Sequence, residues 1–91
     1  MKEIKTFWDM VDFPVATEKA VRLIETENKL VFQLKSIKFN KKEIKEKFEE
    51  EFKVKVEKVN TLITRKGKKR AIIKLKKEFS AEDIAVKLGI I

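Results

Sequence analysis

Two runs of alternating side chains flank one short basic turn, and that arrangement limits the fold more than any other feature. Before the turn, Val59, Thr61 and Ile63 share one parity; after it, Ala71, Ile73 and Leu75 do the same. Side chains alternate across a strand with period two, so each run reads as a strand with one buried face. Between them lies Arg65-Lys66-Gly67-Lys68-Lys69-Arg70. Gly67 is suited to a tight reversal, so the two runs form an antiparallel hairpin. Its strands are expected at about 54–64 and 70–77. Val54 and Val56 have the opposite parity to Val59. One residue must therefore be inserted near Glu57-Lys58, which predicts a β-bulge. An isolated hairpin is at best marginally stable in water, so the rest of the chain must supply a sheet and a cover for its apolar face.

The remaining sequence supplies both. Thr17 is placed to cap a helix over 17–27, with Glu18 in its first turn and an apolar stripe through Ala20, Leu23 and Ile24. Leu30, Phe32 and Leu34 alternate in a strand over 29–35. Asn40 and Glu43 have capping-box spacing, and Ile44, Phe48 and Phe52 recur at every fourth position, giving a helix over 41–52. Its Lys and Glu residues, including Glu49-Glu50-Glu51, read as a solvated face. Ser80 caps a last helix over 81–88, with Ala81, Ile84, Ala85 and Leu88 on one face and Gly89 at its C-terminal end. Residues 1–13 form an N-terminal arm that fits either a helical turn or an extended segment. Phe13 to Ala16 reads as extended, because Pro14 disfavours the helical region for its predecessor. Phe7 and Trp8 either cover the sheet edge or meet a partner. The chain of 91 residues is read as one α+β domain, an α/β plait with a small, mostly antiparallel four-stranded sheet and three helices.

Charge locates the function. Residues 1–60 carry 14 basic and 12 acidic side chains; residues 61–91 carry 9 and 3. The last third thus holds +6 of the net +8, and five of its cations sit in the six-residue turn. Like charges this close repel one another, so the cluster reads either as a solvated turn or as a site for a polyanion, most often nucleic acid. Neutralised phosphates release counterions, which gives sequence-independent affinity with a steep salt dependence. Asn60, Thr61 and Thr64 either add neutral donors to such a surface or satisfy local hydrogen bonds. The hairpin strands offer no exposed aromatic, which disfavours single-strand stacking.

Catalysis is not expected. The chain lacks Cys, His and Tyr, so metal-binding, nucleophilic and acid–base chemistry lose their usual side chains. Some compact plaits hydrolyse acyl phosphates, but they use a glycine-rich anion loop, and this chain has Gly only at positions 67 and 89. No cofactor is expected. The start lacks the apolar core of a signal peptide and no apolar run is long enough to span a bilayer, so membrane insertion is not expected and the location is read as cytoplasmic.

Lys69-Arg70-Ala71-Ile72-Ile73-Lys74-Leu75-Lys76, with Ile84 spaced beyond it, resembles the signature of family twenty-three of the large-subunit ribosomal proteins. Val15-Ala16-Thr17-Glu18-Lys19-Ala20 is similar to that family's N-terminal segment. Val56-Glu57-Lys58-Val59-Asn60-Thr61 is similar to the stretch entering its hairpin, and Leu88-Gly89-Ile90-Ile91 to the chain end of archaeal members. The four segments lie in order over about residues 8–91. The short tip, Arg65 to Arg70, also matches the archaeal type rather than the long bacterial hairpin.

The resemblance implies a structural constituent of the large ribosomal subunit that binds large-subunit rRNA beside neighbouring ribosomal proteins. It implies a place at the rim of the polypeptide exit tunnel, where the signal recognition particle and other nascent-chain factors dock. On this reading Arg65, Lys66, Lys68, Lys69, Arg70 and Lys74 hold phosphates, while Lys19, Asn60, Thr61 and Thr64 orient the contact. Glu18 matches a position that docks a chaperone in bacterial relatives; its rival role is electrostatic, at the helix start. The alternative for the whole chain is a free-standing basic DNA- or RNA-binding module.

Overall fold

The hairpin forms one edge of a four-stranded sheet in the computed structural model, which describes residues 6–90. Residues 1–5 of the expected arm and Ile91 of the chain-end motif lie outside the described residues. The strands are β1 (Val11–Pro14), β2 (Lys29–Leu34), β3 (Val56–Ile63) and β4 (Lys69–Leu75). The helices are α1 (Glu18–Glu27), α2 (Lys41–Phe52) and α3 (Ala81–Lys87), and a 3-10 turn spans Phe7–Asp9. In space the strands run β1-β2-β4-β3, and each neighbouring pair is antiparallel. This is the expected α+β plait.

Cross-strand partners share a face, so the register sorts the sheet into two sides. Leu30, Phe32 and Leu34 of β2 join Ala71, Ile73 and Leu75 of β4 and Val56 and Val59 of β3 in the main core. Ile44 and Phe48 of α2 and Ala81, Ile84 and Ala85 of α3 close over them. The opposite face carries a smaller cluster in which Ala20 and Leu23 of α1 meet Val31 and Ile72. Ile24 of the same helix reaches the main core.

The slip foreseen near Glu57 is present. Val56 faces Leu75, yet Lys58 faces Lys74, which leaves Glu57 as the extra residue. Val56 and Val59 are buried as a result, three positions apart in one strand. A second slip between Val11 and Phe13, unforeseen in so short a strand, sits opposite Leu34 and Gln33.

Both hairpin strands are shorter than the alternation implied, because neighbouring groups claim their ends. Lys53 leaves α2 in the left-handed region (φ 53°), and the Val56 N–H donates to Glu49 Oε2 at 2.8 Å, so Val54 and Lys55 belong to the connection. Glu49 is therefore a structural acceptor and not simply part of a solvated face. At the other end, Asn28 terminates α1 at φ 56° and occupies the exit of β4. Its Nδ2 donates to the carbonyls of Leu75 (3.2 Å) and Phe79 (2.9 Å), and its Oδ1 accepts from Ala81 N–H at 2.7 Å. The chain turns away there instead of extending β4 to residue 77.

The helix caps follow the sequence. Thr17 Oγ1 accepts from Ala20 N–H, Asn40 Oδ1 from Glu43 N–H, and Ser80 Oγ from Asp83 N–H. From Thr6 onward the N-terminal segment is tied down. Phe7 is fully buried, with its ring edge-to-face against Phe32 (5.0 Å) and Phe48 (5.2 Å). Trp8 stays partly exposed and packs on Phe52.

Candidate nucleic-acid interface

A five-residue turn presents the cations of the hairpin. Thr64 N–H donates to the Lys68 carbonyl at 2.7 Å and Gly67 N–H to the Thr64 carbonyl at 2.9 Å. Lys68 N–H donates to Thr64 Oγ1 at 3.2 Å, so the Thr64 hydroxyl is an acceptor inside the turn. Gly67 has φ +77°, a conformation that strains residues bearing a Cβ. Arg65, Lys66 and Lys68 project from this turn and are exposed. Among the described residues no ion pair engages any of the three, so they form an open cluster.

Below the tip the expected site residues separate by parity. Thr61 lies opposite Ala71 and therefore faces the side covered by α2 and α3, as does Lys69 opposite Ile63. The Lys69 ammonium donates to the carbonyls of Phe39 (2.8 Å) and Ile37 (3.3 Å) in the connection between β2 and α2. Asn60, Arg70 and Lys74 face the other side, with Asn60 opposite Ile72, Arg70 opposite Gln33 and Leu62, and Lys74 opposite Lys29 and Lys58. Lys74 Nζ pairs with Glu57 Oε2 at 3.4 Å, and Lys29 with Glu27 at 3.1 Å.

Lys19, far away in sequence, joins this side through α1. It lines a groove with Arg70, Leu62, Leu23, Val31 and Ile72. Arg70 Nε is buried there without a hydrogen-bond partner. Glu18, one residue earlier, points into solvent in the first turn of α1 and pairs with Arg22 at 3.6 Å. Its geometry suits the electrostatic role at the helix start.

The structure thus gathers Arg65, Lys66 and Lys68 at the tip and Lys19, Asn60, Arg70 and Lys74 on the face running down from it. Thr61, Thr64 and Lys69 are turned elsewhere. The same face carries residues that sequence reasoning passed over. Phe13, Gln33 and Leu62 join the expected Arg70 in one cross-strand row over all four strands, with Phe13 45% and Leu62 43% exposed at its ends. The signal was available for Leu62: its parity opposes that of Val59, so an aliphatic residue there had to lie on the non-core face.

A short β-ribbon with an unpaired cationic tip and a basic flank suits phosphate contacts. The family model described as ribosomal protein L23 matches residues 9–88. The chain belongs to the ribosomal protein L23 family. A relative from Methanothermobacter thermautotrophicus, named large ribosomal subunit protein uL23, is 54% identical over 77 residues, covering 85% of this chain and 88% of its own. Another of the same name, from Methanococcus aeolicus, is 48% identical over 83 residues, covering 91% and 95%. Both relatives are archaeal, as the short hairpin and the chain-end segment implied. The family consists of ribosomal proteins rather than enzymes, and a protein of this family works on the ribosome in the cytoplasm. No helix among the described residues is long and apolar enough to cross a membrane.

Proposed function

We propose that the chain is a structural constituent of the large ribosomal subunit that holds large-subunit rRNA through its hairpin tip and the adjoining sheet face. The observation that carries this reading is the placement of the cations. Arg65, Lys66 and Lys68 are exposed together at the tip, and Lys19, Arg70 and Lys74 continue on one side of the sheet. A backbone-binding surface needs this arrangement, because each neutralised phosphate adds affinity by releasing counterions. Asn60 and Lys19 orient the contact beside Arg70. Thr64 contributes by fixing the turn, and Thr61 and Lys69 by fixing the strand that carries it.

The same family membership supports a place at the rim of the polypeptide exit tunnel, beside other large-subunit proteins. There the surface away from RNA would be open to the signal recognition particle and other nascent-chain factors. Glu18 stands exposed at the start of α1, where such a factor would reach it.

Fractionating a cell lysate on a sucrose gradient tests the assignment. The chain is expected to co-sediment with large subunits at moderate salt; recovery only at the top of the gradient would instead support a free-standing nucleic-acid-binding module. Cross-linking the assembled subunit then tests the surface: cross-links from residues 65–70 to rRNA are expected, and cross-links from that tip to protein alone would overturn it.

A further inference from the structure

The groove beside α1 has features that a phosphate-binding surface does not require. Its floor is Val31 and Ile72, its walls are Leu23 and Leu62, and its polar members are Arg70, Lys19 and Thr17. Its volume is about 120 Å³. Pockets for whole cofactors or drug-sized ligands run from roughly 300 to 1,000 Å³, so this groove has room for one small ring and little else. Leu62 is 43% exposed beside its cross-strand partner Arg70, on the face away from the main core. Arg70 has a buried Nε–H with no acceptor. Buried donors are nearly always paired, so an unpaired one asks for a partner.

We propose that this groove takes one unpaired base of the bound RNA, its ring between the apolar walls and its acceptor edge on the Arg70 guanidinium. The inference rests on the rRNA-binding reading and deepens it. Sequence-specific RNA contacts favour unstacked bases inserted among side chains and hydrogen-bonded along an edge. Arg suits such an edge, because its planar fork can donate two parallel bonds to a base. Lys19 at the rim meets the flanking phosphate. An apolar protein side chain fills the floor equally well but gives neither cation a counter-group, so charge complementarity favours RNA.

The test uses the full chain and an in vitro transcript of large-subunit rRNA. Arg70→Lys keeps the charge and loses the fork; Leu62→Ala removes one wall at an exposed position. Arg70→Lys is expected to weaken binding about tenfold and Leu62→Ala roughly three- to fivefold, both with an unchanged salt slope. A photoreactive residue at position 62 is expected to cross-link to a single unpaired base.

Wild-type affinity in both variants, with no base cross-link, would overturn the proposal and leave tip binding intact. Equal binding by Arg70→Lys, with a slope reduced by one unit in Arg70→Gln, would make Arg70 a phosphate contact only and also overturn it. Cross-links from position 62 to protein in the reconstituted subunit would assign the groove to a protein neighbour. A wild-type chain that fails to bind the transcript would overturn the rRNA reading itself. If Arg70→Lys does not fold, the Leu62→Ala affinity and the cross-link decide.

Discussion

The ammonium of Lys69 donates to the carbonyl of Phe39 at 2.8 Å, across 30 residues of sequence. With its second bond, to Ile37, it fastens the connection before α2 to the base of the hairpin. Lys69 is a neighbour in sequence of Lys68 and Arg70 but lies on the opposite face from Arg70 and away from the exposed tip. Three consecutive cations therefore occupy three different settings.

Replacing Lys69 with Met keeps the apolar stem and removes the donor. Stability is expected to fall by about 1–2 kcal/mol, seen as a drop in Tm of roughly 5–15 °C for a chain this size. The salt slope of RNA binding should change by less than about half a unit. A full unit of slope with unchanged Tm would make Lys69 a phosphate contact after all.

The tip should behave in the opposite way. The side chains of Lys66 and Lys68 are exposed, and Lys68 holds the turn through its main chain alone. Changing both to Ala is expected to leave Tm unchanged and to lower the salt slope by about 1.4–1.8 units, because each phosphate contact contributes roughly 0.7–0.9. Titrating the transcript over a range of salt concentrations measures this directly. An unchanged slope would remove the tip from the interface.

These contrasts mark what the sequence could convey. Period-two and period-four patterns fixed the hairpin, the core faces of the helices and even the slip at Glu57, because those depend on side chains near one another in the chain. The cation cluster was visible for the same reason. What was hidden depends on long-range neighbours. Lys69 turns inward because Phe39 lies beside it, Lys19 joins Arg70 because α1 crosses that face, and Asn28 ends β4 from 47 residues away. Parity alone separated Thr61 from Asn60, but only the packing of α2 and α3 decided which of the two sides they cover.

Asn28 combines a left-handed backbone with four side-chain hydrogen bonds to the stretch from Leu75 to Ala81 that leads into α3. Asn tolerates that backbone region better than most residues, so both backbone and side chain favour it. Asn28→Ala is expected to cost about 2–4 kcal/mol by urea denaturation. Asn28→Gly relieves the backbone strain and should fall between Ala and wild type. Equal stability of the Gly variant and wild type would mean that the side-chain bonds contribute nothing.

Glu49 tests the acidic run of α2 in the same way. Its Oε2 accepts from Val56 N–H at 2.8 Å, where the chain leaves the α2 connection and enters β3. Without that acceptor a partly buried N–H at the strand start loses its partner, and Val56 itself is fully buried in the core. Glu49→Ala is expected to cost about 1.5–3 kcal/mol, the range for hydrogen bonds to a charged acceptor. Glu50 and Glu51 are exposed, and their replacement by Ala should stay within about 0.5 kcal/mol of wild type. Because Val56 begins the strand that climbs to the cationic tip, hydrogen exchange at residues 56–63 should quicken in Glu49→Ala alone. Equal exchange in all three variants would reduce Glu49 to the solvated face that its neighbours occupy.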